Sequence, residues 1–191
     1  MTVFTNDDVA AYYAQTEVHF RQMWKLDKSL GLHYGIWDDG ITNLRDAILN
    51  TNRALMELGG IKKEDHVLDA GCGVGGSSIY LAKNIGCRAT GITLSPKQPL
   101  TATGFAKREG VDHLVQFFQK DYTNTGFENS SFNIAWAMES METATDKTLF
   151  FKEMHRVLNQ NGRLLIADWF KPYPYDINAH PDMLTMSNGW A

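Results

Sequence analysis

The sequence predicts an α/β fold built on a doubly wound, mostly parallel sheet. Short apolar runs alternate with helical segments, a glycine-rich turn joins the first such pair, and 191 residues with 43% hydrophobic content suit one core. Right-handed crossovers would place helices on both faces of the sheet. We expect a single domain over residues 1–191: an N-terminal helical cap (1–60), a cofactor-binding core (61–170), and a tail or the start of a further cap (171–191).

The N-terminal cap is predicted from two helical segments joined by a loop. Residues 5–26 begin with a capping-type Thr-Asn-Asp-Asp and then place apolar side chains at helical spacing. Residues 31–40 are rich in glycine and aspartate, as in a loop, and their aromatic and imidazole groups predict contact with a ligand. Residues 41–58 show one apolar face, and Gly59-Gly60 predicts a C-terminal glycine cap.

The core alternates strand and helix patterns. Strands are predicted at 66–70, 87–93, 114–119, 132–138 and 163–169, and helices at 75–84, 96–109 and 146–158. Pro99 and Gly104 conflict with the helix over 96–109, at a cost of up to about 3 and about 1 kcal/mol relative to alanine, so we expect it to start late or bend. Asn161-Gly162 predicts the turn into the fifth strand.

Composition excludes several classes of function. A net charge of -4 and a pI near 5.8 give no reason to expect a nucleic-acid partner. We find no signal peptide and no apolar run long enough for a membrane span, and read the two cysteines as reduced thiols, so we expect a cytoplasmic protein. The histidines show no metal-ligand spacing, and we predict no metal.

The turn after the first predicted strand carries the strongest functional signal. Gly71, Gly73 and Gly76 fit the dinucleotide pattern, which is weak alone, and so many glycines predict close approach of a ligand to the backbone. Asp69 would repel a pyrophosphate but suits a ligand with an ammonium group, as in S-adenosylmethionine. NAD sites have an acid at the end of the second strand that binds the ribose hydroxyls, and this chain has none there, which disfavours NAD. The ribose of an adenosine ligand would then be bound by Thr93, Ser95, Gln98 or backbone groups.

The stretch Val67-Leu-Asp-Ala-Gly-Cys-Gly-Val-Gly-Gly76 resembles the first motif of class I S-adenosylmethionine-dependent methyltransferases. Four further stretches look like the branch that contains tocopherol, sterol and sugar O-methyltransferases and the cyclopropane fatty acid synthases: residues 33–39, 91–96, 120–121 and 139–141. The resemblance covers residues 32–170 and implies a Rossmann-like fold, S-adenosylmethionine as cofactor and S-adenosylhomocysteine as product.

The resemblance also implies roles for individual cofactor-binding residues. Asp69, Gly71 and Gly73 would meet the methionine part, with Tyr34 at its carboxylate, and Ala70, Cys72 and Gly75 of the same stretch are also predicted to bind the cofactor. At the adenosine end the residues are Thr93 and Leu94 beside the ribose and adenine, Gln98, Asp121 at the adenine amino group, and Tyr122 beside the ring. Ala137 and Met138 would line the reactive side.

The catalytic candidates follow from position. Glu139 and Glu142 flank the end of the fourth strand, where ligands bind in open α/β sheets, so we predict them as a base or as carboxylates that stabilise positive charge, with His33 as a third candidate. The branch usually supplies a histidine after Glu139-Ser140, and this chain has none there. Methionines and aromatic residues in the first 40 positions and the tail suit a small, lipophilic acceptor, methylated on carbon or oxygen.

The family sheet normally continues past the fifth strand, and we expect this chain to lack the last strands. We therefore expect an exposed fifth-strand edge, with self-association, strand exchange or a truncated product as the consequence. Two rival functions stay open: a catalytically silent S-adenosylmethionine-binding remnant that acts through interaction, and an NAD-dependent oxidoreductase.

Overall fold

A computed structural model describes residues 5–170 of the chain. Its helices are α1 (Asn6–Met23), α2 (Leu26–Ser29), α3 (Leu44–Gly59), α4 (Gly76–Asn84), α5 (Gln98–Glu109) and α6 (Lys147–Val157), with a 3₁₀ turn at Met141–Thr143. Its strands are β1 (His66–Ala70), β2 (Arg88–Thr93), β3 (Val115–Gln119), β4 (Phe132–Met138) and β5 (Leu158–Ala167).

The five strands form one sheet in the order β3-β2-β1-β4-β5, and every neighbouring pair is parallel. The chain builds outward from β1 to β3, then returns to the other side of β1 with β4. This reversal leaves a crevice at the carboxyl ends of β1 and β4, which is where open α/β sheets bind ligands. The doubly wound parallel fold predicted from the sequence is confirmed.

Alternate side chains of the central strands enter two apolar layers. Val67, Ile134 and Trp136 pack on one face with residues of α3, α4 and α5. Leu68 and Ala135, on the other face, pack with residues of α6. Each of these five strand residues is fully buried, as expected for a parallel sheet covered on both faces. The core therefore holds the carboxyl edge of the sheet rigidly beneath the crevice.

Several element boundaries differ from the prediction. The short helix α2 was not expected, and α3 begins at Leu44 because Asn43 caps it by accepting from the Asp46 N–H at 3.0 Å. Helix α5 begins at Gln98, which places Pro99 in its first turn, where a missing N–H costs nothing. The expectation of a late start is confirmed.

The predicted start of the fifth strand was wrong. β5 begins at Leu158, directly after α6, and ends at Ala167 rather than Trp169. Phe132 pairs with Leu158 whereas Ile134 pairs with Arg163, so the residues between Leu158 and Arg163 bulge out of the ladder. The turn signal at Asn161-Gly162 marks this bulge.

Within residues 5–170, β5 is an edge strand that pairs with β4 alone. The predicted tail over residues 171–191 lies outside the described residues, as does any further strand it could add. No helix in the described part of the chain is long and apolar enough to cross a membrane.

Candidate functional site

A cleft opens above the carboxyl ends of β1, β2 and β4. Its floor is the turn after β1, and its walls come from the ends of β2 and β4, from α1, and from residues 30–38, a segment that we call the strap. Eleven of the seventeen predicted site residues line it: His33, Asp69, Gly71, Cys72, Gly73, Thr93, Leu94, Gln98, Tyr122, Met138 and Glu139. The fold thus brings together residues that are more than 100 positions apart in the chain.

The backbone of the turn is held by the neighbouring strand. The N–H groups of Gly71 and Cys72 both donate to the carbonyl of Ile92, at 2.9 Å each. Backbone donors at such turns are the groups that bind pyrophosphate in dinucleotide sites. Because these two already have an acceptor, the turn offers fewer donors to a phosphate than its glycine spacing suggests.

The glycines of the turn have packing reasons of their own. A Cβ added at Gly71 would lie 2.4 Å from the Cβ of Ser140, whose hydroxyl donates to the Ala70 carbonyl at 2.6 Å. A Cβ added at Gly76 would lie 1.9 Å from the carbonyl oxygen of Leu30 in the strap. Besides the predicted approach of a ligand, these glycines therefore let other segments of the chain cross the turn.

Asp69 lies at the bottom of the cleft, only 2% exposed. Its Oδ2 accepts from the Ser78 hydroxyl at 2.7 Å in the first turn of α4, and the described residues offer it no ion pair. Burial raises the pKa of Asp69 to about 6, although the hydrogen bonds from Ser78 oppose the rise. A buried carboxylate without a cation is costly, and a ligand that brings a positive group would relieve this cost.

The end of β2 forms the wall expected for an adenosine. The Thr93 hydroxyl donates to Gln98 Oε1 at 2.5 Å, and both residues are buried. The Tyr122 hydroxyl is bound to the Ser140 carbonyl at 3.0 Å, which fixes the ring against the cleft. Asp121 does not line the cleft: its Oδ2 accepts from the Asn6 amide at 2.6 Å, and Thr123 occupies its Oδ1.

The strap is fixed over the cleft through Tyr34. The Tyr34 N–H donates to Glu139 Oε1 at 3.0 Å, and its carbonyl lies 2.9 Å from His33 Nδ1, which must donate to it. The tyrosine ring itself is 59% exposed and does not line the cleft. His33 is buried, its Nε2 has no partner among the described residues, and burial lowers its pKa, which keeps the ring neutral.

Three carboxylates gather where β4 and β5 end. Burial raises the pKa of Glu139 to about 7, and the nearby charges of Glu142 and Asp168 add to the rise while the Tyr34 N–H opposes it. Burial also raises the pKa of Glu142, again with Asp168 adding to it and Lys147 opposing. Asp168 is held by two backbone donors, the Glu142 N–H at 3.0 Å and the Trp169 N–H at 2.8 Å.

Four more predicted residues lie close to the cleft without lining it: Ala70, Gly75, Ala137 and Glu142. Ala70 and Ala137 are fully buried beneath it, and Gly75, with φ +83°, starts α4 and packs under Phe117. Glu142 is exposed as a residue, although its carboxyl group is partly desolvated. Cys72 lines the cleft, but burial raises the pKa of its thiol well above the usual value, so the thiol stays protonated.

Sequence reasoning missed four groups at the site. Val9 and Tyr13, one turn apart on α1, line the cleft, and burial raises the pKa of Tyr13 to about 12. Their spacing of four residues is the only signal that could have indicated a shared helix face. Asp168 directly follows β5 at the same sheet edge as Glu139, a position that could have identified it. Thr51 of α3 gave no signal, because its partners lie in the strap.

The chain was compared with known proteins. The family described as "Methyltransferase domain" matches residues 68–166. The chain is 33% identical over 173 residues to the chloroplastic tocopherol O-methyltransferase of Arabidopsis thaliana, which covers 84% of this chain and 49% of that protein. It is 34% identical over 172 residues to the 2-methyl-6-phytyl-1,4-hydroquinone methyltransferase of Synechocystis sp., which covers 87% of this chain and 48% of that protein. The chain thus spans about half the length of these curated relatives.

Solved structures give the same fold. The [4+2]-cyclase SpnF matches with a TM-score of 0.81 at 25% identity, covering 88% of this chain and 62% of that one. A geranyl diphosphate methyltransferase in complex with GPP and sinefungin matches with a TM-score of 0.74 at 25% identity, covering 84% and 65%. One of these two proteins is named a cyclase, so the fold alone does not determine the reaction.

Proposed function

The chain belongs to the methyltransferase domain family, and from that premise we propose that it transfers a methyl group from S-adenosylmethionine to a small, largely apolar acceptor. The observation that carries the proposal is Asp69, a buried carboxylate beside a turn whose first two N–H groups are already paired. Such a site favours an ammonium group and disfavours a diphosphate. An NAD-dependent oxidoreductase is therefore the weaker reading.

The residues at the cleft fit the parts of this cofactor. Asp69 would hold the ammonium group, and the strap at Tyr34 would lie at the carboxylate. Thr93, Leu94 and Gln98 would contact the ribose and adenine. Asp121, to which the resemblance gives the adenine amino group, does not line the cleft, and its carboxylate already accepts from Asn6 and Thr123.

The bound cofactor supplies a methyl group that its sulfonium already activates. The protein then has to align the acceptor, exclude water and take a proton where the acceptor carries one. Glu139 suits the last task because its pKa of about 7 lies near working pH. The Tyr34 N–H orients Oε1, and Oε2 makes no hydrogen bond to the described residues. Glu142 and His33 remain as alternative bases.

The charges around the cleft favour an acceptor without an anionic group. Lys120 is the only lysine or arginine that lines the cleft within residues 5–170, and its Nζ donates to the Thr125 carbonyl at 2.6 Å while it stacks on Phe127. The carboxylates of Glu139, Glu142 and Asp168 would repel a phosphate. We therefore propose an apolar acceptor, methylated on carbon or oxygen, and not a diphosphate such as the one bound by the geranyl diphosphate enzyme.

Turnover tests the proposal against a catalytically silent remnant, for which the enzyme relatives named above give no support. Purified protein is incubated with S-adenosylmethionine and a panel of prenylated phenols, lipophilic alcohols and prenyl diphosphates, and S-adenosylhomocysteine is quantified. We expect acceptor-dependent product with a neutral apolar compound. Cofactor binding without turnover on any panel member would favour the silent remnant, and turnover with diphosphates alone would refute the proposed acceptor class.

Within residues 5–170 no strand pairs with the outer edge of β5, and we also propose that this edge supports self-association, because an unpaired strand edge is a template for pairing. Light scattering on the purified chain tests this proposal. The molar mass of a monomer at high protein concentration would contradict it.

A further inference from the structure

The strap has two parts: Leu30 and Leu32 pack against the core, whereas the side chains from Tyr34 to Trp37 are largely exposed. Tyr34 and Trp37 are 59% and 56% exposed, and the Tyr34 ring makes edge contacts with the rings of Trp24 and Trp169. Exposed rings on a loop fix its path poorly, since they bury little apolar area. At Tyr34 the hydrogen bonds of the backbone therefore add to the packing of the neighbouring Leu32 and His33.

Two buried polar residues on α3 supply these hydrogen bonds. Thr51 accepts from the Ile36 N–H at 2.9 Å, and its hydroxyl lies 3.1 Å from the Tyr34 carbonyl and 3.2 Å from the Ala47 carbonyl, to either of which it can donate. The Asn50 amide donates to the Ile36 carbonyl at 3.1 Å. Both side chains are 7% exposed, so water does not compete with them freely.

Thr51 and Glu139 hold opposite sides of one residue. Glu139, at the end of β4, accepts from the Tyr34 N–H. The Thr51 hydroxyl lies at the Tyr34 carbonyl and also accepts from the Ile36 N–H. The sheet and α3 are thereby joined through the backbone of Tyr34. Losing the Thr51 hydroxyl would leave the Ile36 N–H without this acceptor and loosen the strap from the α3 side.

We propose that Thr51 is a positioning residue for cofactor binding, which sets Tyr34 and the Tyr34–Glu139 hydrogen bond over the methionine end of the cleft. The inference rests on the proposed function, because Tyr34 matters here through the cofactor carboxylate. Thr51 would contact neither the cofactor nor the acceptor, and no sequence motif identifies it.

The test compares Thr51→Val, which keeps the shape and removes the hydroxyl, with Thr51→Ser, which keeps the hydroxyl. Calorimetry measures binding of S-adenosylhomocysteine and of its decarboxylated analogue, which lacks only the carboxylate. We expect Thr51→Val to weaken S-adenosylhomocysteine binding about tenfold and the analogue by less than about twofold. Thr51→Ser should restore binding to within about twofold.

Thr103→Val is the matched control, since Thr103 also donates to a helix carbonyl, that of Pro99 at 2.8 Å, but on the exposed face of α5. It should bind both compounds like the unmodified chain. Equal losses for the two compounds in Thr51→Val would show a general structural role and overturn the inference, as would no loss at all. Failure of the unmodified chain to bind S-adenosylmethionine or its product would instead refute the proposed function.

Discussion

The turn after β1 and the end of β4 lie side by side at the same sheet edge, and each presents one carboxylate to the cleft. Asp69 is buried and bound to Ser78, nine residues away in the same strand-turn-helix unit. Glu139 is only partly buried and bound to Tyr34, 105 residues away. The Asp69 side of the cleft, which we call the local half, is thus built from nearby residues, whereas the Glu139 side, the assembled half, joins distant segments. Substitutions in the assembled half should therefore affect mainly catalysis, whereas substitutions in the local half should affect mainly the stability of the fold.

The largest expected effect is on catalysis at the assembled half. Glu139→Gln keeps an oxygen that can accept from the Tyr34 N–H but removes the group that takes a proton. With the acceptor found in the turnover panel, kcat should fall about 10²- to 10⁴-fold while S-adenosylhomocysteine affinity changes by less than about twofold. Glu64→Gln, an exposed loop acid, serves as the control. Normal turnover in Glu139→Gln would place the base elsewhere, on Glu142 or His33.

The local half should respond through stability. Gly71→Ala places a Cβ 2.4 Å from the Cβ of Ser140 on a backbone with φ +90°, so we expect a loss of roughly 2–4 kcal/mol in the free energy of unfolding. Gly104→Ala is the control, because nothing lies within 4 Å of its added Cβ in α5, and it should gain up to about 1 kcal/mol. Urea unfolding measures both. Equal stability in the two variants would contradict the packing described for the turn.

The pKa of Asp69 predicts opposite trends for folding and binding. Its folded pKa, about 6, lies above the ordinary 3.8, so the native state holds the proton more tightly and the free energy of unfolding should rise as pH falls from about 6 towards 4. Binding of an ammonium-bearing ligand needs the ionised form and should weaken about tenfold between pH 7 and 5. Urea unfolding and calorimetry at both pH values check this, and Asp69→Asn should flatten both trends. If the free energy of unfolding and the ligand affinity of the unmodified chain both fell as the pH is lowered, the prediction would be contradicted.

The smallest expected effect is a shift in a pH profile. Glu142 adds to the raised pKa of Glu139, so Glu142→Gln should lower that pKa. The rise of kcat/KM with pH, centred near the Glu139 pKa of about 7, should then move to lower pH by less than about one unit. A steady-state pH profile of both proteins measures it. An inactive Glu142→Gln variant would instead identify Glu142 as the base.

The local half could be predicted from sequence because its partners are close in the chain. The strand His66–Ala70, the following glycine turn and Asp69 lie within one short unit, and strand-helix alternation was enough to place them at the switch point of the sheet. The late start of α5 also followed from a local rule about Pro99.

In the assembled half, Glu139 was predicted from its place at the end of β4, but its contacts could not be predicted, because they join residues that no periodicity links. Thr51, Tyr13 and Asp168 reach the cleft or the strap only after α3, α1 and β5 have packed on the sheet. The start of β5 was wrong because the bulge before Arg163 depends on pairing with β4 and not on the turn residues.

The central claim, that the buried carboxylate of Asp69 favours S-adenosylmethionine over NADH, is tested most directly by measuring both affinities. Calorimetry with S-adenosylmethionine and with NADH is carried out on the unmodified chain and on Asp69→Asn. We predict that the unmodified chain binds S-adenosylmethionine saturably and shows no detectable binding of NADH, and that Asp69→Asn binds S-adenosylmethionine more weakly. Saturation by NADH with no heat from S-adenosylmethionine would contradict it.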